Sequence, residues 1–220
     1  MYTPKAFEVT DLPMLHSAMK QSELATLVSI TTHGLVATHL PLLLDETRGE
    51  YGTLTGHVSR ANTQWRETDP EAEALIIFLG LDTYVSPNWY PAKQETGRVV
   101  PTWNYAAIHA YGRLTFFEDV ERLRTVVTEL TRRHEASFPA PWQVTDAPAV
   151  YIDSQLKAIV GFEFPILRLE GKQKFNQNRS AADRTGVIEG LRALGDERKT
   201  EVAALMEDIE SRRGPGEGSG

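Results

Sequence analysis

The chain has 220 residues, 41% hydrophobic and 24% charged, enough for one substantial core and too few for three. Its 23 basic and 30 acidic residues give a formal net charge of −7, which opposes non-specific nucleic-acid binding, because phosphate neutralisation needs clustered Lys and Arg. The absence of cysteine excludes disulfide frameworks, Cys-zinc sites, iron–sulfur clusters and thiol catalysis.

Met1-Tyr2-Thr3-Pro4 opens no basic region with an apolar run behind it, and no apolar stretch reaches the length of a membrane span. A soluble, cytoplasmic protein is expected. Leu12, Leu15 and Met19 share one helical face entered through Thr10 or Asp11. Residues 24–31 and 35–44 are rich in Val, Leu, Ile and Thr and flank Thr32-His33-Gly34, which predicts a β-hairpin. A third strand is expected at 52–58, and the wholly apolar 74–79 suits a strand buried on both faces. Pro87, Pro91, Gly97 and Pro101 mark 81–103 as a long loop.

Over 105–117 the side chains alternate, with Ile108, Ala110, Leu114 and Phe116 on one face and His109, Tyr111, Arg113 and Thr115 on the other. An amphipathic helix follows, with Val120, Leu123, Val126, Val127 and Leu130 on its apolar side. A proline-rich loop (138–148) leads to a short helical segment at 151–158 and a final strand at 159–169. Helices are expected at 182–194 and 200–211, before a glycine-rich tail. Six strands joined by hairpins or short excursions, without alternating βαβ units, predict an antiparallel barrel with peripheral helices. The domain reading is a barrel over 1–195, a C-terminal helix over 196–213 and a disordered tail over 214–220.

No P-loop, nucleophile elbow or H-E-x-x-H motif occurs. Four polar and aromatic clusters remain. In Gly56-His57-Val58-Ser59-Arg60-Ala61-Asn62-Thr63-Gln64-Trp65 a strand ends and a short helix begins. Unpaired backbone N–H groups, the Ser59 hydroxyl and the Arg60 fork suit a phosphate there. A capping serine beside solvated Arg60 and Asn62 is the plainer reading. Ser86-Pro87-Asn88-Trp89-Tyr90 and Val100-Pro101-Thr102-Trp103-Asn104-Tyr105 place two tryptophans and two tyrosines in a stiffened loop. These aromatics suit a packing staple as well as a wall for a planar ring. Between 168 and 184 five basic residues (Arg168, Lys172, Lys174, Arg179, Arg184) face two acidic ones, a local inversion that suggests an anionic ligand or a solvated turn. His39, His57 and His109 fall in strands, where a three-His metal or haem site competes with ordinary hydrogen-bonded histidines.

Taken together, Met1-Tyr2-x-Pro4, Ala37-Thr38-His39-Leu40-Pro41, GHVSRANTQW (56–65), SPNWY (86–90), VPTWNY (100–105), Ile159-Val160-Gly161-Phe162-Glu163, Gly171-Lys172-x-Lys174 and Gln177-Asn178-Arg179 resemble the PaiB-type FMN-binding negative transcriptional regulators. The resemblance covers about residues 1–192. Thr63 stands in place of a proline, and Phe175-Asn176 in place of Leu-Ser. It implies a mainly β fold, an antiparallel split β-barrel of the FMN-binding, pyridoxamine-phosphate-oxidase-like type. It also implies a homodimer with FMN at the subunit interface.

By that resemblance Ser59, Arg60 and Asn62 would hold the phosphate, helped by the backbone after His57. Thr38, His39 and Leu40 would offer main-chain groups to the ring edge, and Trp103, Asn104, Lys172, Lys174, Gln177 and Asn178 would complete the pocket. The implied role is regulatory, with a DNA or protein partner, no membrane and no metal. A flavin-dependent oxidoreductase, with His57, His109, Tyr90 and Tyr111 as proton donors or acceptors, is the alternative. A haem- or metal-binding barrel is the third reading.

Overall fold

The computed structural model describes residues 1–212, so the tail expected over 214–220 lies outside the described residues. Nine strands are formed: β1 (Glu8–Val9), β2 (Ala25–Thr31), β3 (Gly34–Leu40), β4 (Leu43–Asp45), β5 (Thr53–Ser59), β6 (Ala74–Val85), β7 (Thr102–Gly112), β8 (Thr115–Phe117) and β9 (Ile159–Lys174). The helices are α1 (Leu12–Gln21), α2 (Gln64–Glu67), α3 (Ala92–Thr96), α4 (Val120–Glu135), α5 (Ala149–Leu156), α6 (Ala181–Ala193) and α7 (Glu197–Arg212). The strands hydrogen-bond in the order β3-β2-β6-β7-β9-β5-β4, with β1 and β8 also on β9. Six pairings with defined register are all antiparallel.

Local chemistry sets the element ends. Asp11, Asp119 and Ser180 each accept a hydrogen bond from the backbone N–H three residues on, capping α1, α4 and α6. The β2–β3 hairpin runs in register from Ala25↔Leu40 to Thr31↔Gly34, and Gly34 takes the positive φ of 106° that closes it. The strand expected over 35–44 is broken at Pro41-Leu42, where proline has no N–H for the ladder. The strand expected over 105–117 divides into β7 and β8. The loop expected over 81–103 is shorter and more ordered. β6 continues to Val85, a 3-10 turn spans Pro87–Trp89, α3 follows, and β7 starts at Thr102. The last strand also runs on, through Lys174 instead of ending near 169.

The chain divides into two compact units, and β6, β7 and β9 each contribute residues to both. The larger unit comprises 11–78 and 108–170. Its interior holds Leu27, Leu40, Leu42, Leu54, Val58, Ile76, Phe78, Ala110, Phe162 and Phe164. Each fully buried side chain of that size contributes about 1.5–3 kcal/mol. A satellite cluster of Leu123, Ile152 and Leu156 seats α4 against α5.

The smaller unit comprises 1–10, 79–107 and residues from 171 onward. Val85, Tyr90, Phe175, Val187, Leu191, Val202, Ala203 and Met206 form its core, so α6 and α7 pack together over the 85–90 segment. Gly186 and Gly190 let α6 lie directly against Trp89, since a Cβ at either position would fall within 2.1–2.4 Å of Trp89 atoms.

Gly112 in the larger unit tests how tightly the strands fit. A Cβ there would stand 2.3 Å from the carbonyl oxygen of Pro165, a backbone atom with nowhere to go. Gly112→Ala is therefore expected to cost about 1–3 kcal/mol. The loss would appear as a lower urea midpoint at unchanged slope.

Candidate functional site

The larger unit carries seven of the expected site residues. After β5 the chain turns at Ser59-Arg60-Ala61-Asn62-Thr63 before entering α2. This turn is fastened by Gln64, whose side chain is almost wholly buried at 1% exposure. Its Nε2 donates to Ser29 Oγ (2.9 Å) and to the Val36 carbonyl (3.3 Å), and its Oε1 accepts from Thr38 Oγ1 (2.5 Å). Asn62 Nδ2 donates to the same Thr38 hydroxyl (2.9 Å), while Asn62 Oδ1 accepts from the Gln64 N–H (3.0 Å). Thr38, Asn62 and Gln64 thus form one network that ties the turn to β2 and β3. Gln64 was not among the expected residues, although it lies inside the GHVSRANTQW motif. No residue-type rule distinguishes a buried amide from a solvated one.

His57 and Ser59 lie on one face of β5 by strand alternation. His57 Nδ1 is buried without a hydrogen-bond partner, and burial pulls the ring's pKa below the ordinary histidine value. The imidazole is therefore neutral at pH 7, with one N–H and one lone pair. Ser59 is exposed, and its Oγ accepts only from the Ala61 N–H (3.3 Å). His39 is exposed at the edge of the sheet, with Nδ1 2.9 Å from Thr26 Oγ1. Leu40 is buried in the core, so only its main chain can serve a ligand.

Arg60 differs most from expectation. Its Nε donates to the Lys157 carbonyl (2.7 Å), one Nη to the Ile159 carbonyl (3.2 Å), and the other pairs with Glu118. The guanidinium expected on a phosphate thus clamps the turn to the start of β9. The backbone N–H groups nearby are also occupied, Arg60 N on the Ala158 carbonyl and Asn62 N on the Ser59 carbonyl.

The other six expected residues lie in the smaller unit. Asn104 and Lys174 line a small cavity with Asn178, Thr102, Asn176 and Arg179. Lys172 is buried beside it in sequence, its Nζ donating to the Tyr2 carbonyl (3.0 Å) and standing 5.0 Å from the Tyr105 ring centroid. Gln177 turns inward, accepting from the Phe175 N–H and donating to the Gln173 carbonyl. Trp103 is half exposed, its indole N–H on Asp82 and its ring edge-on to Tyr84. Among the described residues no three of His, Asp and Glu gather as a metal site, so His39, His57 and His109 do not form one. No described helix is long and apolar enough to cross a membrane.

Comparison with known proteins bears on this arrangement. Residues 1–168 match the family described as "Putative FMN-binding domain". The chain is 33% identical over 210 residues to the Protease synthase and sporulation protein PAI 2 of Bacillus subtilis (strain 168), covering 94% of this chain and 97% of that protein. An uncharacterized protein of Aspergillus fumigatus is 32% identical, again covering 94% and 97%. Among solved structures, the FAD and heme binding protein from Mycobacterium smegmatis superposes with a TM-score of 0.57 at 16% identity, over 81% of this chain and 78% of that one. At that identity the likeness speaks for the fold alone, an antiparallel split β-barrel with helices. Nearly full-length coverage of the Bacillus relative, with a family match over most of the chain, places this protein in the PaiB-type family of FMN-binding domains.

Proposed function

We propose that the protein binds FMN through the larger unit, at the end of β5 and along β3, and acts as a regulatory homodimer. The observation that carries the reading is the pairing of a rigid polar turn with polar atoms left for a ligand. Thr38, Asn62 and Gln64 hold the turn still, while His57 Nδ1 has no partner and the Ser59 hydroxyl faces solvent. Those atoms fit the hydrogen-bonding portions of the nucleotide, and orientation by a fixed scaffold is what a protein contributes to a flavin. When bound, the flavin would supply one- or two-electron redox chemistry. The residues here bind and orient it, and His57, held neutral, offers an N–H or a lone pair without a charge.

The dimer is favoured by an apolar sheet face in the same unit. Register places Leu35 opposite Ile30, Ala37 opposite Val28 and Val28 opposite Leu75. Leu35 is 75% and Ile30 46% exposed, and β3 lies at one end of the strand order. A contiguous apolar surface on a sheet is the kind of patch a second subunit covers. A net charge of −7 per chain opposes direct contact with DNA, so regulation through another protein or through a small-molecule product fits better.

FMN added to the protein should bind with quenched fluorescence, and Arg60→Ala should weaken it severalfold through loss of the clamped turn. Glu118→Gln separates two roles for Arg60. If the freed guanidinium reaches the phosphate, affinity rises, and if Arg60 only braces the turn, affinity falls or holds. Unchanged affinity in both variants would move the phosphate elsewhere. Leu35→Asp should convert dimer to monomer in light scattering. Finally, the His57 pKa lies below its usual value of 6.5, so the unfolded chain takes up a proton that the folded ring refuses. Stability should therefore decline as pH falls from 6.5, and His57→Gln should flatten that slope in urea titrations.

A further inference from the structure

The small cavity in the smaller unit, three of whose lining residues (Asn104, Lys174 and Asn178) the family resemblance assigns to the flavin pocket, is not used by the FMN site proposed along β3 and β5. It encloses about 90 Å³, room for a few waters or one compact polar group and far too little for a fused ring system. Lys174 and Arg179 line it, with Lys172 two residues away. Among the described residues none of these three cations has a carboxylate partner. In the same unit Arg184, Arg192 and Arg198 pair with Glu210, Glu207 and Asp82. Two hydrogens of the Lys174 ammonium go to neutral oxygens, Thr102 Oγ1 and the Trp103 carbonyl, both at 2.6 Å, which leaves a third donor. Burial first, and then the charges of Lys172 and Arg179, hold the Lys174 pKa below the usual lysine range.

Two amides add an independent sign. Asn104 is fully buried and Asn176 is 3% exposed, and both line the cavity. The Oδ1 of each is buried with no hydrogen-bond partner. Such orphans are costly unless a ligand completes them. A half-turn of either amide costs little and presents N–H groups instead. Asn104 would give up only a long N–H···S contact to Met206 (3.7 Å), and Asn176 would exchange donation to Tyr90 Oη for acceptance from it.

We propose that this cavity is a seat for a compact oxyanion, the phosphoryl or carboxylate head of a small ligand, held by Lys174, Arg179, Asn104 and Asn176. An anion there relieves the mutual repulsion of the cations and accepts from the N–H groups that the turned amides present, and charge-assisted bonds of this kind dominate oxyanion recognition. Every residue invoked lies in the smaller unit, so the proposal stands whether or not the flavin binds along β3 and β5.

The test uses the full chain, first free of flavin, titrated with inorganic phosphate and separately with acetate against chloride at equal ionic strength. Saturable binding is expected by calorimetry, together with a rise in melting temperature. Lys174→Gln and Arg179→Gln should each weaken it at least tenfold while circular dichroism stays native. The stronger anion identifies the head group. Repetition with FMN bound distinguishes its source. Displacement of FMN by phosphate would make the flavin's own phosphate the occupant, and binding without displacement would make it a second ligand. Should Lys174→Gln fail to fold, Arg179→Gln carries the test. A response that is unsaturable, equal in chloride, or unchanged in the variants would overturn the proposal.

Discussion

Everything described in the larger unit turns on one buried amide. Gln64 reaches Ser29, Val36 and Thr38, and through Thr38 it fixes Asn62. A buried amide with all its bonds made is rigid, and the same amide with one bond missing is a serious cost. The turn that closes β5 is thereby determined by two strands of sequence far from it, β2 and β3. Arg60 adds a second fastening, to the carbonyls of Lys157 and Ile159 and to Glu118. The turn between these anchors is a pre-formed polar surface.

The strands and helices that alternate cleanly were legible from the residues alone. The β2–β3 hairpin announces itself through Gly34 and flanking β-branched residues, and α4 through its 3-4 spacing. What escaped were elements whose stability is non-local. Nothing local marks β9 as continuing past Glu170, because Gly171, Lys172 and Lys174 look like a turn. They extend because Gly171 and Lys172 pair with Val9 and Glu8. Likewise Pro87, Pro91 and Gly97 suggested a structureless loop over 81–103. Trp89 is instead seated on Gly186 and Gly190 of a helix nearly a hundred residues later.

The site was legible at the level of motifs but not of roles. Residue types in GHVSRANTQW indicated a polar junction, and the junction is there. Whether an arginine faces a ligand or its own chain depends on acceptors elsewhere, here Glu118 and two β9-side carbonyls, which no motif contains. The basic run at 172–179 shows the converse. From sequence its lysines and arginine suggest either an anionic ligand or a solvated turn, and what bears on that choice is that, among the described residues, Lys172, Lys174 and Arg179 have no carboxylate partner while neighbouring arginines do.

The smaller unit is assembled from three stretches of chain, 1–10, 79–107 and 171 onward. Its first residues leave the ribosome long before the strand they pair with, since Glu8 waits for Lys172. During synthesis this unit therefore cannot close, and its apolar segments stay open to chaperones or to misassociation until the third stretch is made. Loop closure over such separations is slow, so its maturation should trail translation.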